Sequence, residues 1–176
     1  MASQQKDPRD ALDHLDALIQ ELRVAMMTTV EEDGSLRARP MWTRGRDAEG
    51  ALWLFTREHA SKVGEVTHDH HVNLSYADAA RERFVSLSGR CQLVLDKDKA
   101  RALWNPALQA WFPQGLDDPE LALLKVSVEK AEYWDASARR MVHWAKRVRA
   151  AITGHGAEEA GDNARLTFDD RGAPIS

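Results

Sequence analysis

The chain has a single cysteine, Cys91, so no disulfide can form within it, and a disulfide-stapled scaffold is excluded. No segment approaches the roughly 18 consecutive apolar residues that a membrane helix needs. The first thirty residues lack the basic flank and apolar block of a secretory leader, and a cytoplasmic protein is expected. Charge of one sign is also missing: 24 basic against 28 acidic residues leave a net charge of -4 over 176 residues. That balance disfavours nucleic acid or an anionic membrane surface as a partner. There is no Gly-x-Ser-x-Gly elbow, Walker loop or Gly-x-Gly-x-x-Gly turn, so nothing supports α/β-hydrolase acyl transfer, P-loop chemistry or Rossmann dinucleotide binding. Histidine clusters only at His68-Asp69-His70-His71, without structural-zinc spacing or a helping cysteine, and no metal is expected.

What is present is one domain's worth of periodic hydrophobics. Asp7-Pro8 reads as an N-cap and first helical residue, after which Leu12, Leu15, Leu18, Ile19 and Leu22 recur at helical spacing. From Val24 the period changes to that of strands: 24–30 and 36–46 around a polar turn ending in Gly34, then 51–56, a meander of three. Pro40 inside the second strand points to an edge or a bulge, where a missing N–H is tolerated. A short helix over 61–68, strands at 72–76 and 84–95, and a helix over 96–104 follow. A proline-broken excursion reaches Pro119, then come a last strand pair at 121–128 and 131–134 and a helix over 139–152. The pattern predicts an α+β fold around a nearly closed antiparallel barrel in a single domain, 1–152, with a mobile tail over 153–176. Cys91 falls in a strand and reads as a core thiol.

Three groups carry possible chemistry. Arg37 and Arg39 share a strand face by parity, and a bulge at Pro40 would bring Arg44 round to them. Thr56, Ser61 and Lys62 lie at a strand-to-helix junction, where two hydroxyls, an ammonium and free helix N–H groups suit a phosphate. The same spacing also fits solvated charges and a plain helix cap. Six tryptophans stand against two tyrosines and four phenylalanines. Of these, Trp53 and Trp144 read as packing residues, whereas Trp104, Trp111 and Trp134 sit where an indole can meet a ligand or a partner chain.

Several blocks together resemble the pyridoxamine 5'-phosphate oxidase-like proteins. They are Met27 to Met41, Leu52-Trp-Leu-Phe-Thr56, Ser61-Lys-Val63, Val72-Asn-Leu-Ser-Tyr76, Val85-Ser-Leu-Ser-Gly89 and Glu132-Tyr-Trp-Asp135. Leu103-Trp-Asn-Pro106 with Trp111-Phe-Pro-Gln-Gly-Leu-Asp-Asp-Pro119 is similar to the general stress protein branch. The resemblance implies an FMN-binding split β-barrel, antiparallel and of Greek-key type with flanking helices, and a homodimer with flavin at the subunit interface. It places Arg39 and Lys62 on the phosphate with Thr56 and Ser61 as hydroxyl ligands, and Arg44 near the flavin ring. Pro40, Met41 and Trp42 fall along the ring edge, with Phe55 and Trp111 beside it, and Trp134 comes from the partner chain. In the true oxidases an Arg-x-His segment follows that tryptophan. Here Arg140 holds the first place but Val142 stands where the histidine belongs, which puts pyridoxamine phosphate oxidation in doubt. The expected activity is flavin-dependent oxidoreduction with a small substrate and NADH or NADPH as possible donor. Alternatives are a non-catalytic flavin holder or sensor, or a barrel for deazaflavin, haem or pyridoxal phosphate.

Overall fold

The computed structural model describes residues 8–57, 70–136, 162–169 and 173–175. Helix α1 spans Pro8–Leu22. Its buried stripe, Ala11, Leu15, Leu18 and Ile19, follows the helical period of the sequence and joins the main core. At roughly 1.5–3 kcal/mol for each fully buried aliphatic side chain, the stripe explains why a helix of this length holds. Arg23 ends it with a left-handed backbone (φ 59°), a C-terminal position that usually falls to glycine. Its N–H bonds the Ile19 carbonyl at 3.0 Å, closing the last turn.

Strands β1 (Val24–Val30), β2 (Leu36–Arg44), β3 (Ala51–Arg57), β4 (His71–Asp78), β5 (Arg83–Val94) and β6 (Leu121–Asp135) form an antiparallel sheet in the order β3-β2-β1-β4-β5-β6. It closes on itself because β3 also pairs with β6 from Ala51 opposite Ser127 to Arg57 opposite Leu121. The result is a closed six-stranded barrel with alternating faces: Met27, Leu74, Leu87 and Tyr133 point inward and are fully buried. On β3 both faces are covered. Leu52 and Leu54 belong to the interior core, whereas Trp53 and Phe55 join a second cluster with Ala100, Leu108 and Phe112 outside the barrel.

That second cluster is roofed by helix α2 (Lys97–Leu103), a 3-10 segment Pro106–Ala110 and a 3-10 turn Gly115–Asp117. Asp96 caps α2 by accepting from the amides of Asp98 and Lys99, each at 2.9 Å. Asp47, in the β2–β3 turn, holds α2 down: it accepts from the indole N–H of Trp53 and from Lys99 Nζ at 3.3 Å, and Lys99 lies 4.5 Å above the Trp53 ring. Burial pushes the Asp47 carboxyl upward, but the Trp53 indole, the Ala51 amide and Lys99 outweigh it and hold the group below its ordinary value.

Three expectations change. The strand pair at 121–128 and 131–134 is one strand, β6, and the break between them is a bulge: Ser88 faces Lys130 and Gly89 faces Val128, leaving Glu129 as the extra residue. Part of the predicted tail is a strand. Strand β7 (Asp162–Thr167) pairs with β6 from Lys130 to Asp135, and Leu166 and Phe168 are buried in the core. The segment lacks a lasting period in the sequence because only a few of its side chains turn inward. Finally, β2 runs in unbroken register with β1, Met26 opposite Pro40 and Val24 opposite Trp42, so no bulge turns Arg44 toward Arg37 and Arg39. The expected helices at 61–68 and 139–152, with Trp144, lie outside the described residues. No helix among the described residues is long and apolar enough to cross a membrane.

Candidate functional site

The barrel has one loose seam. Strand β2 pairs with β1 from Leu36 to Trp42 but meets β3 only at Thr43 opposite Leu54 and Arg44 opposite Trp53. Below that point β3 continues on β6 while β2 departs, and Pro40 sits on the unpaired edge, where its missing N–H costs nothing. A cleft of about 310 Å³ opens in the gap. Pro40, Met41, Trp42 and Val24 form one wall, Phe55, Thr56 and Arg57 the other, and Leu108, Trp111 and Phe112 of the outer excursion the roof. Phe55, Trp104 and Phe112 brace that roof, with ring centroids 5.8 to 6.5 Å apart in tilted or edge-on contacts. The lining is flat, aromatic and mostly apolar. Thr56 is buried, its hydroxyl 3.4 Å from the Arg57 carbonyl.

Trp42 separates this cleft from a second, more polar crevice of about 400 Å³ lined by Gln20, Arg23, Arg44, Arg46, Leu103 and Asn105, among others. Arg46 is committed to structure: it donates to the Gly50 carbonyl at 3.1 Å, lies 3.6 Å from Asp16 and stacks 4.9 Å over Phe168. Burial raises the Asp16 carboxyl above its ordinary value despite that neighbour. Arg44 makes no ion pair with a described residue. An anchored hydroxyl chain supports the wall: Tyr76 Oη donates to Thr43 Oγ1 at 3.1 Å, and Thr43 Oγ1 donates to the Arg23 carbonyl at 3.0 Å.

A sequence model of the family described as "Pyridoxamine 5'-phosphate oxidase like" matches residues 10–158. The chain belongs to this family. Among curated proteins it is 28% identical over 132 residues to protein bli-3 of Neurospora crassa; the match takes in 69% of this chain and 63% of that protein's length. Among solved structures it is similar to a general stress FMN/FAD binding protein of Xanthomonas citri, with 26% identity, a TM-score of 0.62, and coverage of 72% of this chain and 89% of the other. A protein related to general stress protein 26 from Clostridium acetobutylicum shares the fold, with a TM-score of 0.67, 18% identity, and coverage of 94% and 99%.

In this pyridoxamine oxidase-like barrel, six residues singled out from sequence meet at one cleft: Pro40, Met41, Trp42, Phe55, Thr56 and Trp111. Arg44 lies in the neighbouring crevice. Arg39, half-buried, has the strand parity of buried Met41 and Thr43 and so emerges on the opposite face of β2 from Arg44. Ser61, Lys62 and Arg140 lie outside the described residues. Trp134 does not line the cleft of its own chain: it faces Phe84, Phe84 faces Ala77 of β4, and β4 pairs with β1, whose Val24 lines the cleft, so at roughly 4.8 Å per strand spacing Trp134 stands on the order of 15 Å from that wall across the sheet.

Trp104, taken from sequence as able to face a ligand, is instead a roof support against Phe55 and Phe112. Sequence reasoning missed Val24, Arg57, Leu108 and Phe112. Val24 is read there only as a strand residue, Arg57 ends β3 beneath the excursion, and Leu108 and Phe112 owe their place to the excursion folding back over β3, which no local pattern encodes. Among the described residues no group of three or more metal-ligating side chains gathers; His68 and Asp69 are outside them.

Proposed function

We propose that this chain is an FMN-binding flavoprotein that works as a homodimer in oxidoreduction of a small molecule. The observation that carries the reading is the cleft at the β2–β3 seam, whose aromatic and apolar walls suit a flat ring and whose volume is at the lower end of the roughly 300–1,000 Å³ common for ligand sites. One protomer thus offers part of an enclosure. Completion by a second copy is supported by the outer face of the barrel, where Val24, Met26, Phe84 and Trp134 are each 38 to 46% exposed and Phe84 pairs across the strands with Trp134. A partner's copy of that face would bring its Trp134 to the cleft.

Bound FMN supplies the redox chemistry. The chain's own residues bind and orient it: Arg39, with Ser61 and Lys62 from the family pattern, takes the phosphate, and Arg44 provides positive charge near the ring. Among the described lining residues no carboxylate or imidazole stands ready as a general acid or base. This observation also favours a second reading, a flavin holder or sensor with little turnover. Solved relatives whose names carry general stress support a stress setting for either role, and a cytoplasmic location fits both.

Purified protein is expected to be yellow or to take up added FMN; a colourless protein that binds none overturns both readings. Anaerobic bleaching by NADH or NADPH then separates enzyme from holder, because a module without a donor site stays oxidised. Arg39→Ala and Lys62→Ala are each expected to weaken FMN binding by about 1.5 to 3 kcal/mol, and unchanged affinity in both places the phosphate elsewhere.

A further inference from the structure

Arg57 is the last residue of β3 and, among the described residues, the only charged side chain lining the cleft. Its guanidinium is spent on the roof. Nη2 donates to the Trp111 carbonyl at 3.2 Å and stands 3.8 Å from Asp118 Oδ2, Nη1 donates to Glu120 Oε2 at 3.4 Å, and the group lies 5.7 Å from the centre of the Phe112 ring. All four partners fall within residues 111–120. Aromatic contacts from Phe55 hold the base of the roof, whereas Arg57 fixes its outer edge, where the Trp111 indole is 67% exposed yet lines the cleft. With a guanidinium 45% exposed, such ion pairs add little to global stability. What a planar fork with several donors does provide is a defined direction.

We propose that Arg57 is a positioning residue: by gripping the Trp111 carbonyl and the Asp118–Glu120 turn, it sets the Trp111 segment at the mouth of the cleft and so governs how tightly the cleft retains its ligand. This rests on reading the cleft as the flavin site, and the test separates the two. FMN affinity is measured for the full chain and for Arg57→Gln, Arg57→Lys, Trp111→Ala and the Arg57→Gln/Trp111→Ala double variant. Arg57→Gln is expected to weaken binding about three- to tenfold, Arg57→Lys to recover part of the loss, and the double variant to bind no worse than Trp111→Ala, because both changes disable one unit. Wild-type affinity in Arg57→Gln, or losses that multiply in the double variant, overturn the proposal.

Amide hydrogen exchange of the flavin-free protein supplies the independent arm. Exchange over 108–115 is expected to quicken in Arg57→Gln while β5 and β6 stay unchanged. If the natural chain binds no FMN but this local quickening is seen, the flavin reading fails and the positioning role stands. Unchanged exchange over 108–115 refutes the role whether or not FMN binds.

Discussion

The two seams of the barrel are built to different ends. Strand β5 pairs with β6 along all 12 of its residues and absorbs an extra residue, Glu129, without opening. Strand β2 touches β3 at two facing pairs and then parts from it. At the closed seam, specificity lies in backbone fit: a Cβ on Gly89 would come within 2.0 Å of the Ser127 carbonyl oxygen. At the open seam it lies in side chains, because Pro40, Trp42, Phe55 and Trp111 face a gap. Stability is concentrated where the strands are zipped, and ligand-sized space where they are not.

The largest effect is therefore expected at the closed seam. Gly89→Ala must displace β6 backbone, and a loss on the order of 4 kcal/mol or outright failure to fold is expected in chemical denaturation. A loss under 1 kcal/mol would mean that the seam yields more readily than its geometry implies. Next comes the buttress of the open seam: Thr43→Val removes both bonds of the Tyr76–Thr43–Arg23 chain and is expected to cost about 1 to 2 kcal/mol.

Acid sharpens the comparison. The Asp47 carboxyl is held low in the folded state, so its contribution is present above the ordinary carboxylate value near 3.8 and is lost as pH falls through the lower folded value. Asp47→Asn is expected to flatten that part of the acid limb in thermal melts, and an identical limb would remove Asp47 from the account. The smallest effect is expected at the cleft lip, where Pro40→Ala and Trp111→Ala should each shift stability by no more than about 0.5 kcal/mol while Trp111→Ala weakens FMN binding.

Much of the closed seam is legible in sequence, since Val85, Leu87, Gly89 and Cys91 alternate with polar neighbours and fall buried in the barrel wall. Even the bulge leaves a trace, as the apparent gap between two strands at 129–130. The open seam is legible only through Pro40, a residue that marks an unpaired edge but not what lies across it. Parity separates Arg39 from Arg44 in any regular strand, and only the assumption of a bulge joined them. Strand β7 and the roof over β3 stayed hidden because both are long-range: Leu166 and Phe168 share a core with residues from the start of the chain, and Phe112 meets Phe55 on the outside of β3 from far along the sequence.

The central claim is that the open seam is the flavin site, and hydrogen exchange with and without FMN tests it most directly. Added FMN is expected to slow exchange at Trp42 and over 108–112 while leaving the paired amides of β5 and β6 unchanged. Protection elsewhere, or none at all at saturating FMN, would contradict the account.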